Sequence, residues 1–179
     1  PYSMSRHPAT GALYINEARG DAKADIYIVE PRANYGHEGS GIGNLREPWA
    51  NGAEAGSQLI TGGAWYPTGG SFPTSYEGAY FVALWGSNAS NRGQISIITS
   101  DSDTSVTAFE RNVGLDVAGG PPIKPVLTRV GPDGHLYYML TTYETDEGTI
   151  YRVRYTAQQT VERPFITPDG DTYTESVQV

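Results

Sequence analysis

Cysteine is absent from the 179 residues, which excludes disulfide bridges, thiolate metal sites and a cysteine nucleophile. Its absence leaves the compartment open, since secreted chains can also do without it. No apolar run reaches the length of a membrane-spanning helix. Positive charge is scarce too. Twelve Lys and Arg against 20 Asp and Glu give a net charge of −8, with no basic run. That balance argues against nucleic acid as a partner, because phosphate binding draws on clustered positive charge. Nowhere do apolar residues persist at helical spacing behind a capping signal, so helix is expected to be scarce. The opening residues, Pro1-Tyr-Ser-Met-Ser-Arg-His-Pro8, carry neither a signal peptide nor an initiator Met. They run straight into a turn and strand, which reads as a processed or partial chain.

Glycine, proline and tyrosine are abundant. The 22 Gly and 12 Pro punctuate apolar runs instead of forming a low-complexity block, as in an all-β protein with many turns. Thirteen Tyr and 3 Trp against 4 Phe suit strands whose aromatics are half-buried, with their polar ends reaching water or a partner.

One phrase recurs three times. It runs Gly11-Ala-Leu-Tyr-Ile-Asn16, a polar gap, then Asp25-Ile-Tyr-Ile-Val29. It returns as Gly78-Ala-Tyr-Phe-Val-Ala83 with Gly93-Gln-Ile-Ser-Ile-Ile98, and as Gly134-His-Leu-Tyr-Tyr-Met139 with Gly148-Thr-Ile-Tyr-Arg-Val153. Each copy is a turn glycine, an aromatic-rich strand, a loop and a second strand. Copies spaced roughly 55–70 residues apart suggest propeller blades or an array. A hairpin with one apolar face cannot bury that face alone, so neighbouring copies must pack on one another. The aromatics Trp65, Tyr66, Tyr80, Phe81, Tyr137 and Tyr138 recur at equivalent places and read as core. Trp85 and Tyr143 follow their strands and are better placed to stack on a sugar or a flat cofactor. Between the copies, about 37–57 reads as a long surface loop, a feature often tied to function. Gln58–Pro67 and Thr104–Glu110 read as further strands, and the tail, 157–179, as a source of an edge strand.

These residues carry a resemblance. Val130-Gly-Pro-Asp-Gly-His-Leu-Tyr-Tyr138 followed by Gly148-Thr-Ile-Tyr-Arg-Val-Arg-Tyr155 resembles the closing blade of the glucose/sorbosone dehydrogenase family. Three other stretches agree in order. His7-Pro-Ala-Thr-Gly-Ala-Leu-Tyr14 with Asp25-Ile26 and Asn34-Tyr-Gly36 is one; Gly63-Ala-Trp-Tyr66 with Phe72-Pro73 and Tyr76-Glu-Gly-Ala-Tyr-Phe-Val-Ala83 is the next; Arg92-Gly93, where the family often places a basic residue before the second strand of that blade, is the third. The likeness runs from about 5 to 156. It implies an all-β fold of antiparallel four-stranded β-propeller blades, about half of a six-bladed ring and its C-terminal half, with 1–179 as one partial domain. It also implies a secreted or periplasmic quinoprotein that oxidises an aldose with pyrroloquinoline quinone (PQQ) and Ca²⁺. The family's general-base His lies upstream of this chain, and none of His7, His37 or His135 matches it.

On this resemblance, Lys124 and Arg92 are the cations expected to offset the carboxylates of the quinone. Gly20 and Asp21 fall in the loop where the family offers backbone carbonyls to calcium, and hard oxygen donors suit that ion. Each also has a plainer reading: Lys124 and Arg92 as solvated cations, Gly20 and Asp21 as an ordinary hairpin loop. The chain departs from the family pattern at His37, which replaces a Trp, and around Lys124, where a second basic residue and an Asp are missing. The alternative is therefore a non-catalytic propeller that binds carbohydrate or protein. An unrelated repeat module with chance turns is the third reading. A half-ring leaves blade faces open, so association with the missing half, another chain or a second copy is expected. Asn88 begins a glycosylation sequon. The acidic turns at Asp101 and Asp169 read as turn chemistry. No nucleophile-elbow pattern supports a Ser/His/Asp triad.

Overall fold

Glycine turns cut the alternating apolar segments into short lengths, and these fold back on one another as antiparallel meanders. The computed structural model describes residues 2–18, 24–36, 43–51, 59–85, 93–99, 104–110, 124–141, 148–155, 160–166 and 172–178, the last two stretches as backbone. Sheet 1 takes β1 (Ser3–Arg6), β2 (Leu13–Ala18), β3 (Ala24–Ile28) and the short β4 (Ala50–Asn51) in that order. Sheet 2 takes β5 (Leu59–Trp65), β6 (Tyr80–Trp85), β7 (Gln94–Ile98) and β8 (Thr107–Glu110). Sheet 3 is built on β9 (Lys124–Val130), β10 (Leu136–Thr141) and β11 (Gly148–Tyr155), and is continued by the hairpin of β12 (Thr160–Ile166) and β13 (Thr172–Gln178). Among the described residues the helical structure is one 3₁₀ turn, Thr74–Tyr76. The chain is all-β and β-propeller-like. The sheets are not uniform: β4 is two residues long, and the third sheet is five strands wide.

The recurring glycine has a conformational cause. Gly11, Gly78 and Gly134 have φ of 72°, 77° and 77°, the left-handed region that side chains disfavour. Each lies in the turn that leads into the second strand of its sheet.

Sheet 2 lies between the other two, and its strand β6 shows this most plainly. Tyr80, Val82 and Leu84 join Tyr14, Ile26 and Trp65 in the core shared with sheet 1. Phe81 and Ala83 join Leu136, Tyr138, Leu140, Tyr151 and Val153 in the core shared with sheet 3. A strand covered on both faces must be apolar at every position, and Tyr80–Leu84 is fully buried.

Strand β5 is held more tightly still. A Cβ on Gly62 would lie 2.7 Å from the Leu127 Cα and 2.9 Å from the Thr128 nitrogen, both main-chain atoms of β9. A Cβ on Gly63 would overlap the Tyr80 hydroxyl on the other side and lie 2.8 Å from Asn16 Nδ2. A register shift between Ile60 and Gly62 marks Thr61 as the irregular residue. The Thr61 hydroxyl donates to the Pro125 carbonyl at 2.8 Å. The vacated space near Gly63 holds a buried polar chain that joins sheets 1 and 2. Tyr80 donates to Asn16 Oδ1 at 3.1 Å, and Asn16 Nδ2 donates to Ser3 Oγ at 2.9 Å.

Two sequence expectations change. Ala50–Asn51, inside the stretch read as loop, pairs with β3, and Trp49 beside it packs edge-on to Tyr14 at 5.1 Å. Tyr137, read as core with Tyr138, points the other way. Strand alternation buries Tyr138 and leaves Tyr137 half-exposed, its hydroxyl donating to Asp133 at 2.7 Å.

Gly62→Ala is expected to destabilise the chain by about 1–3 kcal/mol or more, the usual cost of overpacking against atoms that cannot give way. Gly148→Ala, whose Cβ would meet nothing nearer than the Leu140 oxygen at 3.7 Å, serves as the control. Urea melts of both variants check this, and equal midpoints would show that the main-chain contact is not limiting.

Candidate functional site

The first strands β1, β5 and β9 end together, since Arg6, Trp65 and Val130 line one cleft. The turns at Gly11, Gly78 and Gly134 lie at this end of the sheets. The opposite end receives the starts of β5 and β9 and the loops between second and third strands. It is marked by Ala18 opposite Ala24, Leu84 opposite Gln94, and Thr141 opposite Gly148.

Lys124 opens β9 at that loop end. It is 4% exposed, and its Nζ lies 5.3 Å from the centroid of the Trp85 ring at the end of β6. Burial holds its ammonium below the usual lysine pKa, because desolvation disfavours the charged form. The indole face offsets part of that cost, about 0.5–2 kcal/mol for a desolvated cation–π pair. Two residues singled out from sequence for different reasons, a cation and a stacking aromatic, are thus in contact. Arg92 lies outside the described residues. Its neighbour Gly93 is buried, and a Cβ there would overlap Pro125 Cδ, next to Lys124. Close approach of β7 to β9 therefore requires glycine at 93.

Gly20 and Asp21 also lie outside the described residues, as do His37, Asn88, Asp101, Tyr143 and Asp169. Close to the loop that holds Gly20 and Asp21, Glu17 and Asp25 face each other across β2 and β3, both buried. Tyr27 donates to Asp25 Oδ2 at 3.2 Å. Glu17 borders a cavity of about 610 Å³ on the outer face of sheet 1, with Ile15, Asn34, Tyr35 and Gly36. Carboxylates are hard oxygen donors of the kind calcium takes, yet calcium needs six to eight oxygens. Among the described residues no group of three His, Asp or Glu converges as metal ligands would.

The turn end holds a contact that sequence reasoning missed. Ser71 Oγ lies 2.6 Å from His135 Nδ1, although 64 residues separate them. Asp133 does not complete a triad. Its carboxylate accepts the backbone N–H of His135 at 3.2 Å and the hydroxyl of Tyr137, so it orders the turn and acts on the imidazole only through its charge. The Pro-Asp-Gly turn was legible; nothing in the sequence pointed to Ser71 as its partner. His7 has a local role as well: its Nδ1 accepts the N–H groups of Ala9 and Thr10, and its ring packs at a tilt against Trp65, centroids 4.3 Å apart.

No family model matches the chain, and no curated protein matches it by sequence. Solved structures do. A glucose dehydrogenase is 16% identical, with a TM-score of 0.63 over 86% of this chain and 43% of its own. A second glucose dehydrogenase is 18% identical, with a TM-score of 0.60 over 85% of this chain and 44% of its own. The soluble aldose sugar dehydrogenase from Escherichia coli, in its apo form, is 19% identical, with a TM-score of 0.58 over 84% and 43%. At these identities the likeness establishes the fold. The chain spans less than half the length of each of these proteins.

Burial, and the Arg152 and Arg154 cations, push the His135 pKa below its ordinary 6.5, against an opposing pull from Asp133. The imidazole contribution to stability is therefore complete above about pH 6.5 and is lost as the pH falls below it, where the unfolded chain takes the proton first. Thermal melts from pH 7.5 to 5 are expected to show a smaller loss of stability in His135→Asn than in the parent. Parallel slopes would show that the imidazole is not the titrating group.

Proposed function

We propose that this chain forms part of a sugar dehydrogenase-like oxidoreductase, secreted or periplasmic, that oxidises an aldose with PQQ. The observation that supports this reading best is Lys124, a buried cation set on the face of Trp85 at the loop end of a fold similar to sugar dehydrogenases. A buried ammonium beside an indole suits a flat ligand that carries carboxylates. The quinone, when bound, supplies the hydride acceptor; Lys124 and Arg92 hold its carboxylates in place. Calcium belongs to the same reading, at the loop of Gly20 and Asp21, with Glu17 and Asp25 as the carboxylates flanking that loop in sequence.

The base that takes the sugar hydroxyl proton would come from outside these residues, either from the missing half of the fold or from another chain. The outer face of sheet 3 supports such an association. Met139 and Ile150 are cross-strand neighbours there, and Ile150 is 68% exposed. The second reading is a non-catalytic propeller-like module that binds carbohydrate or protein. It is favoured by Lys124 standing without a second basic residue beside it and by His37 in the position of an aromatic.

Titrating PQQ into the chain is expected to quench tryptophan fluorescence saturably with Ca²⁺ present and more weakly with a chelator. Lys124→Met should weaken binding at least about tenfold, the equivalent of one charge-assisted hydrogen bond. Dye reduction with glucose would then require the remainder of the fold. Equal affinity in Lys124→Met would remove Lys124 from the site. Saturable sugar binding with no response to PQQ would establish the second reading.

A further inference from the structure

The cleft at the turn end, about 270 Å³ in volume, holds an unusual grouping of charge for so acidic a chain. Two arginines line it, Arg6 at the end of β1 and Arg129 near the end of β9, together with Met4, Ser5 and Trp65. Each guanidinium is held by neutral main-chain oxygen. Arg6 Nε donates to the Gly11 carbonyl at 3.3 Å. Arg129 Nη1 donates to Thr128 at 2.8 Å and Gly63 at 3.2 Å. The ion pairs Arg46–Glu30 and Arg152–Asp133 lie elsewhere. Carbonyls orient a guanidinium without neutralising it, and arginine stays protonated throughout the accessible pH range. Both side chains therefore keep charge and unused N–H donors.

An independent observation comes from Trp65. It is 7% exposed, and its indole N–H is buried with no acceptor. A buried donor without a partner is costly, and such groups usually have a ligand or water to satisfy them. The residue forms a wall of the same cleft.

We propose that this cleft is a binding site for a small oxyanion, a carboxylate or a phosphate, held between Arg6 and Arg129 with the Trp65 indole as a further donor. Paired guanidinium forks match the geometry of these groups. The volume falls below that of pockets for drug-sized ligands, so the occupant is an anion of a few heavy atoms. The site is separate from the one at Lys124. Lys124 and Val130 are the two ends of β9, about 20 Å apart at the usual rise per residue. An ion bound here would join the ends of three sheets at the point where their first strands meet.

The test measures thermal unfolding of the chain in phosphate, acetate and succinate against chloride at equal ionic strength, together with ¹H–¹⁵N spectra of the tryptophan indoles. Trp65→Phe assigns the Trp65 signal. One of the oxyanions is expected to raise the midpoint saturably and to move the Trp65 resonance. Phosphate preference would identify a tetrahedral ligand, and carboxylate preference a planar one. Arg6→Gln should weaken that binding at least about tenfold, one charge-assisted hydrogen bond in energy. Arg129 also supports the backbone, so Arg129→Lys, which keeps the charge and loses the fork, is the second variant. It should bind more weakly than the parent while folding normally. The proposal is overturned if oxyanions act no differently from chloride, or if both variants bind as tightly as the parent.

Discussion

The close approach of β5 to the main chain of β9 governs the rest of the fold. Two consecutive glycines, Gly62 and Gly63, leave a groove in a strand whose other residues are almost all buried. One side of that groove takes the backbone of Leu127 and Thr128, and the other takes the Tyr80 hydroxyl. Side chains at these positions would push the sheets apart, and interiors close-packed to crystal density cannot absorb such a displacement. Once the main chains are in contact, Thr61 can bridge to Pro125 and Thr128 can bond the Phe81 carbonyl. Those bonds fix the register of sheet 3 on sheet 2. The Asn16–Tyr80 link does the same for sheet 1.

This constraint also separates the two ends of the molecule. The glycine turns at Gly11, Gly78 and Gly134 lie at one end, and Lys124 meets Trp85 at the other. Burial of Lys124 follows from the same geometry. Pro125 is pressed against Gly93, and that contact draws the start of β9 beneath the end of β6. A lysine in this position is desolvated by its backbone neighbours as well as by Trp85.

Much of this was legible because period-2 alternation and turn glycines are local signals. The three phrases became β2–β3, β6–β7 and β10–β11, and the burial of Trp65, Tyr66, Tyr80, Phe81 and Tyr138 followed from their place in the repeat. What stayed hidden was non-local. Strand β4 is two residues long and has no period of its own; it exists because Asn51 meets Asp25 across a long connection. Strand β1 carries the polar sequence Ser3-Met-Ser-Arg6, and only its pairing with β2 makes it a strand. Tyr137 and Tyr138 are identical in composition and differ only in which face they take, which alternation decides once the register is known. The Ser71–His135 contact joins two turns through the packing of sheets 2 and 3, and no spacing rule reaches that far. For the site, Lys124 and Trp85 were each singled out, but their contact was not.

The arrangement of the cores also explains why one sheet is different in kind from the others. Sheet 2 is covered on both faces by residues of this chain, and its strand β6 is apolar throughout. Sheets 1 and 3 each turn one face inward. The outward face of sheet 1 is partly closed by the chain itself, through Tyr35 packed on Tyr27 at 5.0 Å and bonded to Glu30 and Ile28. The outward face of sheet 3 has no such cover among the described residues, and there Ile150 and Met139 stand beside Arg152 and Arg154. The aliphatic pair lies at one end of that row, since Ile150, Arg152 and Arg154 follow one another on the same face of β11. Among the described residues the stack is therefore closed over both faces of its middle sheet and open on the outer face of sheet 3.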